Sequence, residues 1–417
     1  VAASLSAWNR PLFKALTHEL AALDPAGDDY AAQFVQSLIE VGRLSGASDI
    51  HLQPIADGLQ VRLRVDGVLH PVGQFSPGTS TNVVTRIKVL AGLLTYRMET
   101  PQEGRMQGAD GTGNFEVRVS TFPTLHGERA VLRLFGGLER FQDITSLSLP
   151  ADVTAELSAQ LNETSGAILI VGPAGSGKTT TLYACLHELV HRGQSSRSIV
   201  TLEDPIEIAI PGVSQSQISA HQDFDLATAV RSVLRQDPEV IMVGEIRDAA
   251  TASAVLQAAL TGQLVLSSFH AGSAASAVRR LLDMGLEAYS LRSGLSAVVF
   301  QRLVRKLCEC SEEAPTSADF LELPVQRARL PRGCDLCGGT GYRERMVLVE
   351  SLPLHDKGVG DAILARSELA EIEHCALAAG MVDRMTRAVT AVEAGQTSPA
   401  EVRRVLGYGR LDLGGQE

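Results

Sequence analysis

The chain has 417 residues, of which 45% are hydrophobic, 20% charged and only 4% aromatic. That length suits about two or three domains, and the composition is globular rather than disordered. The net charge of −11 weighs against tight non-specific nucleic-acid binding, so no nucleic-acid partner is expected. No run approaches the roughly 18 apolar residues of a membrane span, and the amino terminus lacks a signal peptide's order of basic, apolar and small residues. The expected location is cytoplasmic.

Residues 1–28 are weakly patterned. Leu12, Leu16, Leu20 and Leu23 fit one helix face, which Asp24-Pro25-Ala26-Gly27 ends. Tyr30 to Leu44 has helical spacing, with Phe34, Leu38 and Val41 facing a core. In the stretch that follows, Val61, Leu63 and Val65 alternate with Arg62, Arg64 and Asp66, the pattern of a half-buried strand. Asp66-Gly67 is a hairpin signal. Residues 82–94 return to helical spacing, then 115–120 and 130–135 alternate again. These last two strands put Arg118 and Arg133 on faces opposite the apolar residues, and the simple reading is a solvated sheet surface. Residues 29–136 thus form a small α/β domain with an arginine-rich sheet, followed by a linker over 137–146 that opens with glycines.

The next stretch organises the rest. Residues 167–171 are an apolar run of strand length. Gly172-Pro173-Ala174-Gly175-Ser176-Gly177-Lys178-Thr179 then fits G-x-x-x-x-G-K-[ST], and Thr180 continues into a helix pattern. Strand, glycine loop and helix are the context that motif requires. Such a loop turns backbone N–H groups onto phosphate oxygens at a helix N-terminus, and Lys178 would reach the β- and γ-phosphates of ATP while Thr179 ligates Mg²⁺. Further apolar strands end near Glu203, near Glu245 and just before His270, and Arg231 and Arg235 share one helix face. Ligands of open α/β sheets bind outside the carboxyl ends of the strands. Two acids and a histidine at that rim fit attack of water on a γ-phosphate: one carboxylate on the metal, one at the water. Glu245, following its strand in the manner of a Walker B acid, suits Mg²⁺; Glu203 suits the base, and the roles are exchangeable. His270 either hydrogen-bonds the γ-phosphate or is a structural histidine. The nucleotide domain spans 147–305.

Four of the six cysteines, Cys308, Cys310, Cys334 and Cys337, lie in residues 306–345. Four thiolates make a closed tetrahedral site that suits structural Zn²⁺. A metal-free remnant and a redox dithiol are the alternatives. Cys185 and Cys375 are isolated and read as small buried side chains. Residues 346–417 form a carboxy-terminal helical region.

Taken together, Ala47-Ser48-Asp49-Ile50-His51, Arg62 through Gly67, the glycine loop, Leu202-Glu203-Asp204-Pro205-Ile206-Glu207, LRQDPEVIMVGEIRD (234–248) and Gln301-Arg302-Leu303-Val304 resemble the type II secretion and type IV pilus assembly ATPases. The resemblance covers about residues 29–405. It implies a PAS-like small domain, a RecA-like ATPase domain, and a Mg²⁺-dependent homo-hexameric ring. Such a ring works peripherally at the inner membrane with platform and docking proteins of the machine. It implies that Arg118 and Arg133 reach nucleotide phosphates, and that Arg231, Arg235 and Arg247 sense nucleotide or build the subunit interface. The four cysteines point to the secretion or pilus-extension branch rather than retraction. The segment around His270 departs from the family pattern, with Gly262-Gln263 and Phe269-His270-Ala271-Gly272 where Gly-His and Leu-His-Thr-Asn are usual, and Gln53 replaces a common glutamate. The chain before Tyr30 is expected to be too short for a full docking domain. Alternatives are a nucleotide-gated binding protein with little hydrolysis and a pilus-retraction or DNA-uptake motor.

Overall fold

The computed structural model describes residues 11–76, 79–110, 113–134, 143–191, 197–218 and 225–408. Residues 1–10 of the expected amino-terminal segment and 137–142 of the expected linker lie outside them. The chain divides into two compact units, the first comprising Val1–Gly136, Arg305–Glu313 and Arg329–Glu344, the second Gly137–Val304, Ala314–Ala328 and Arg345–Glu417. The segment expected as one insertion is therefore shared between them.

The first unit runs α1 (Pro11–Ala22), α2 (Tyr30–Leu44), β1 (Ala47–Ile55), β2 (Gly58–Val65), β3 (Val68–Phe75), α3 (Thr79–Leu90), β4 (Gln102–Asp110), β5 (Gly113–Thr124) and β6 (Gly127–Leu134). The strands form one antiparallel sheet in the order β3-β2-β1-β6-β5-β4, the PAS-like arrangement expected. Its core face carries Ile50, Leu52, Val61, Leu63, Val117, Val119 and Leu132, packed with Phe34 and Leu38 of α2 and Val83 and Ile87 of α3. α1 is not a separate segment: Phe13, Leu16 and Leu20 join the same core. The turn between β2 and β3 is Asp66-Gly67, with φ of 49° and 77°. Both residues in the left-handed region give the turn type that matches strand twist.

The second unit is built on α4 (Ala151–Leu161), β7 (Gly166–Val171), α5 (Lys178–His191), β8 (Ile199–Glu203), β9 (Ser214–Gln217), α6 (Leu226–Val233), β10 (Val240–Ile246), α7 (Ala249–Leu260), β11 (Leu264–Phe269), α8 (Ala274–Asp283), α9 (Ala288–Gly294) and β12 (Leu295–Leu307). Two short strands that belong to the first unit, β13 (Glu312–Glu313) and β14 (Arg329–Leu330), precede β15 (Tyr342–Ser351). Helices α10 (Lys357–Leu364), α11 (Leu369–Ala378), α12 (Arg384–Glu393) and α13 (Pro399–Leu406) follow. The sheet order is β15-β12-β7-β11-β10-β8-β9, parallel from β12 to β9. Ala167, Leu169 and Val171 of β7 face a core shared with α7 and α8, while Ile168 and Ile170 face one shared with α4 and α5. Burial on both faces explains why these strands read as unbroken apolar runs. The strand after β7 in sequence lies three places away in the sheet; the chain goes on to the β9 edge, then returns through β10 and β11 and passes β7 to β12. That return gathers the carboxyl ends of β7, β10 and β11 beside the glycine loop.

Candidate active site

The glycine loop joins β7 to α5. Gly172, Gly175 and Gly177 have φ of 152°, 73° and 90°. A side chain is excluded at Gly172, where a Cβ would lie 2.5 Å from the Gln301 carbonyl oxygen and from Ser176 Oγ. Pro173 and Thr180 are half-buried, Ala174 is exposed, and Thr179, half-buried, follows Lys178 at the start of α5. Lys178 is buried, its Nζ donating to the carbonyls of Gly172 at 3.0 Å and Pro173 at 3.1 Å. Burial pulls its pKa down, opposed by the charge of Glu245.

Glu245 owes its position to a bulge. Val243 pairs with Ser267 and Ile246 with Phe269, so β10 carries one extra residue there. Ser267 and Ser268 pin the bulge by donating to the carbonyls of Val243 and Gly244, each at 2.7 Å. Glu245 then accepts from His270 Nε2 at 2.6 Å and from Arg247 Nε at 2.7 Å. Arg247 also lies 3.6 Å from Asp204, and the His270 carbonyl accepts from Arg280 at 2.7 Å. Burial, then Lys178, lowers the His270 pKa more than Glu245 raises it. The lowered value favours the neutral imidazole, whose Nε2–H then donates to Glu245.

Glu203 sits differently. It is the last residue of β8 and 3% exposed. Its Oε2 accepts from the Tyr183 hydroxyl, and its Oε1 from Thr201 Oγ1 and from Gln215 Nε2 at 3.2 Å. The Tyr183 hydroxyl in turn accepts from the Glu207 N–H at 3.1 Å.

The remaining arginines divide between the units. Arg231 and Arg235 are exposed at the end of α6, where Arg235 reaches only the Arg231 carbonyl and Ser232 Oγ among the described contacts. In the first unit, the strand registers set Arg64, Asp49, Arg133, Arg118 and Arg105 in one row across β2, β1, β6, β5 and β4. Asp49 holds Arg133 at 3.1 Å and Arg64 at 3.5 Å, and Glu103 holds Arg118 at 2.6 Å. His51, beside this row, takes Arg129 on Nδ1 at 3.1 Å, and burial together with Arg64 pulls its pKa to about 4.

Two positioning groups escaped the sequence reading. Tyr183 is named by no motif, and its only signal is its place on the glycine-loop helix. Gln301 on β12, 2% exposed, donates to the Ser176 carbonyl at 2.8 Å and accepts from Thr181 Oγ1 at 2.9 Å. It was visible only as part of a motif, without a role.

The four cysteines converge. Their sulfurs all lie within 4.8 Å of one another. The pairs Cys308–Cys334 and Cys310–Cys337 are 3.8 Å apart and Cys334–Cys337 3.7 Å. A tetrahedron with Zn–S bonds of about 2.3 Å has edges of about 3.8 Å, so the donor set fits zinc. Backbone N–H groups of Cys334 and Gly341 donate to Cys337 Sγ at 3.1 and 3.2 Å. Burial works to raise the Cys337 pKa, but these donors bring it to about 6, favouring the thiolate. Cys185 is buried as expected, whereas Cys375 is half-exposed beside Glu371.

Residues 25–404 match the family described as Type II/IV secretion system protein. The chain belongs to this family. It is 41% identical over 340 residues to a type II secretion system protein E of Klebsiella pneumoniae, covering 80% of this chain and 68% of that one. It is 38% identical over 399 residues to the type II secretion system ATPase E of Vibrio cholerae, covering 92% and 76%. It is also 38% identical over 364 residues to the type IV pilus assembly ATPase PilB of Thermus thermophilus, covering 85% of this chain but only 40% of that protein. Among solved structures, the Legionella pneumophila ATPase DotB aligns with a TM-score of 0.68 at 23% identity, over 89% of this chain and 95% of that one. The pilus retraction motor PilT aligns at 0.54 and 23% identity, over 85% and 96%. These two speak for the fold. With this membership and its glycine loop, the chain is an ATP hydrolase of the secretion and pilus class. No helix among the described residues is long and apolar enough to cross a membrane.

Proposed function

We propose that this ATPase works as a Mg²⁺-dependent homo-hexamer that drives pseudopilus or pilus assembly, held peripherally at the inner membrane by platform and docking proteins. One observation carries the reading. Val171, Phe269 and Ile246 lie side by side at the ends of β7, β11 and β10, so the loop to Lys178, His270 and Glu245 all sit at one edge, where Glu245 accepts from His270 at 2.6 Å. That arrangement supports a reading in which a cation for phosphate, a carboxylate for metal and a histidine donor share one rim of the sheet.

Residues 172–180 cradle the phosphates, with Lys178 turning from its loop carbonyls to the β- and γ-phosphates. Thr179 and Glu245 would supply the hard oxygen donors that Mg²⁺ prefers, and His270 would turn its Nε2–H from Glu245 toward the γ-phosphate. When bound, Mg²⁺ neutralises charge that develops on the transferred phosphoryl group. Glu203 orients the attacking water. An ionised carboxylate has about four acceptor sites; described residues fill three of them on Glu203, leaving one on Oε2. Arg118 and Arg133 act as phosphate-directed cations. Arg247 links Glu245 to Asp204, and the exposed Arg231 and Arg235 meet a neighbouring copy in the ring.

The test is Mg²⁺-dependent phosphate release by the full chain. Lys178→Ala and Glu245→Gln should each lower it at least about 100-fold, since each removes a group acting on transition-state charge. Turnover unaffected by Lys178→Ala would remove the motor reading.

A further inference from the structure

The buried hydroxyl of Tyr183 bridges two parts of the nucleotide domain far apart in sequence. Tyr183 is 1% exposed and lies on α5, five residues after Lys178. Its hydroxyl donates to Glu203 Oε2 and accepts from the N–H of Glu207 at 3.1 Å. The Ile208 N–H approaches the same oxygen at 3.5 Å. One phenol thus ties the helix that carries the phosphate-binding lysine to both ends of the turn after β8.

We infer that Tyr183 is a positioning residue for hydrolysis: it aims Oε2 of Glu203 from the glycine-loop helix. The argument is one of geometry. Thr201 and Gln215 occupy Oε1, so they fix the carboxylate at one oxygen only. Rotation about the last side-chain bond of a glutamate is broad and roughly two-fold. Among the described residues Tyr183 is the donor on Oε2, so without it the acceptor site left for water loses its direction. The phenol supplies that donor and is itself fixed by the Glu207 N–H. Because Tyr183 rides on α5, the aim of Glu203 follows the helix that Lys178 begins. Holding a water-orienting group in place is worth orders of magnitude in rate without any contact to substrate.

The inference rests on the reading of Glu203 as the acid at the water, so the experiment carries both variants. Steady-state turnover of the full chain with Mg-ATP is measured for wild type, Glu203→Gln, Tyr183→Phe and Thr201→Val. Tyr183→Phe keeps the ring and its packing and removes only the hydroxyl. It should lower kcat about 10-fold or more while KM for ATP stays within about 2-fold, since the lost interaction acts only in the transition state. Thr201→Val, which removes one of the two donors on Oε1 and leaves Gln215 there, should cost clearly less. Glu203→Gln should lower kcat at least as far as Tyr183→Phe. Wild-type kcat in Tyr183→Phe beside an inactive Glu203→Gln would overturn the role of Tyr183 alone. Full turnover in Glu203→Gln would overturn the reading of Glu203, and the inference with it. Melting temperatures lowered equally in Tyr183→Phe and Thr201→Val, with kcat unchanged in both, would make the hydroxyl merely structural.

Discussion

The Gln301 side-chain amide donates to the Ser176 carbonyl at 2.8 Å across 125 residues of sequence. Its oxygen takes the Thr181 hydroxyl, so one buried amide holds the glycine loop and the first turn of α5 together. Gln301 thereby sets the shape of the cradle. Gln301→Ala would strand a buried carbonyl and a buried hydroxyl, each costing about 1–3 kcal/mol. The expected result is KM for ATP raised about 10-fold with a modest fall in kcat, read from steady-state turnover. An unchanged KM with a lower melting temperature would leave Gln301 a structural staple.

How far the sequence carries the site follows from what each part demands. The loop 172–179 is legible because its backbone needs glycine at particular places, and steric need shows in sequence. Helix α2 is legible to its ends, since its one apolar face is closed by turn residues. Strands β3, β4 and β12 are not. β4, QEGRMQGAD, has no apolar alternation and is held by its pairing to β5. β12 is apolar over its first half and amphipathic over its second, so no single period describes it. Glu245 and His270 were readable from strand ends. The surroundings of Glu203 were not, because Tyr183 and Gln215 come from other segments and only packing brings them together.

Arg118 and Arg133 face one another directly across β5 and β6. Like charges in that register are unfavourable unless acids or a bound anion sit among them. Glu103 and Asp49 answer part of that charge, and Asp49 keeps Arg64 when Arg133 is removed. The Arg133 side chain is 63% exposed, so its loss should barely change stability. Arg133→Ala should therefore melt within a few degrees of wild type yet turn over ATP about 10-fold more slowly, as expected for a phosphate-directed cation. Wild-type turnover would return Arg133 to the role of a solvated surface charge.

Tyr183 gives a prediction at alkaline pH. Burial first, then the hydrogen bond and charge of Glu203, raise its pKa well above the ordinary tyrosine value. A raised folded value stabilises the fold fully below the unfolded pKa of about 10, and that contribution is lost as pH rises toward the folded value. The difference in ultraviolet absorbance between wild type and Tyr183→Phe should show no phenolate signal for this residue near pH 10. Glu203→Gln removes the negative charge and should bring that signal to lower pH. Ionisation of Tyr183 at about pH 10 in the wild-type protein would contradict the buried pairing.

The cysteine cluster predicts what a chelator does. Sulfur separations of 3.7 to 3.8 Å match the edges of a zinc tetrahedron and are far too long for disulfide bonds. Metal analysis of the purified chain should give about one zinc per polypeptide, the stoichiometry of a closed four-thiolate site. Of the six cysteines, Cys185 is buried and Cys375 half-exposed. A thiol reagent should thus find essentially Cys375 in the native protein, and four more thiols once a strong chelator has removed the metal. Zinc binding is folding free energy for the segment that supplies the ligands, so chelation should also lower the melting temperature, and Cys334→Ser should reproduce that loss. Four reactive thiols before any chelator is added, together with no zinc, would make the cluster a metal-free remnant; two thiols lost on mild oxidation and regained on reduction would make it a redox pair.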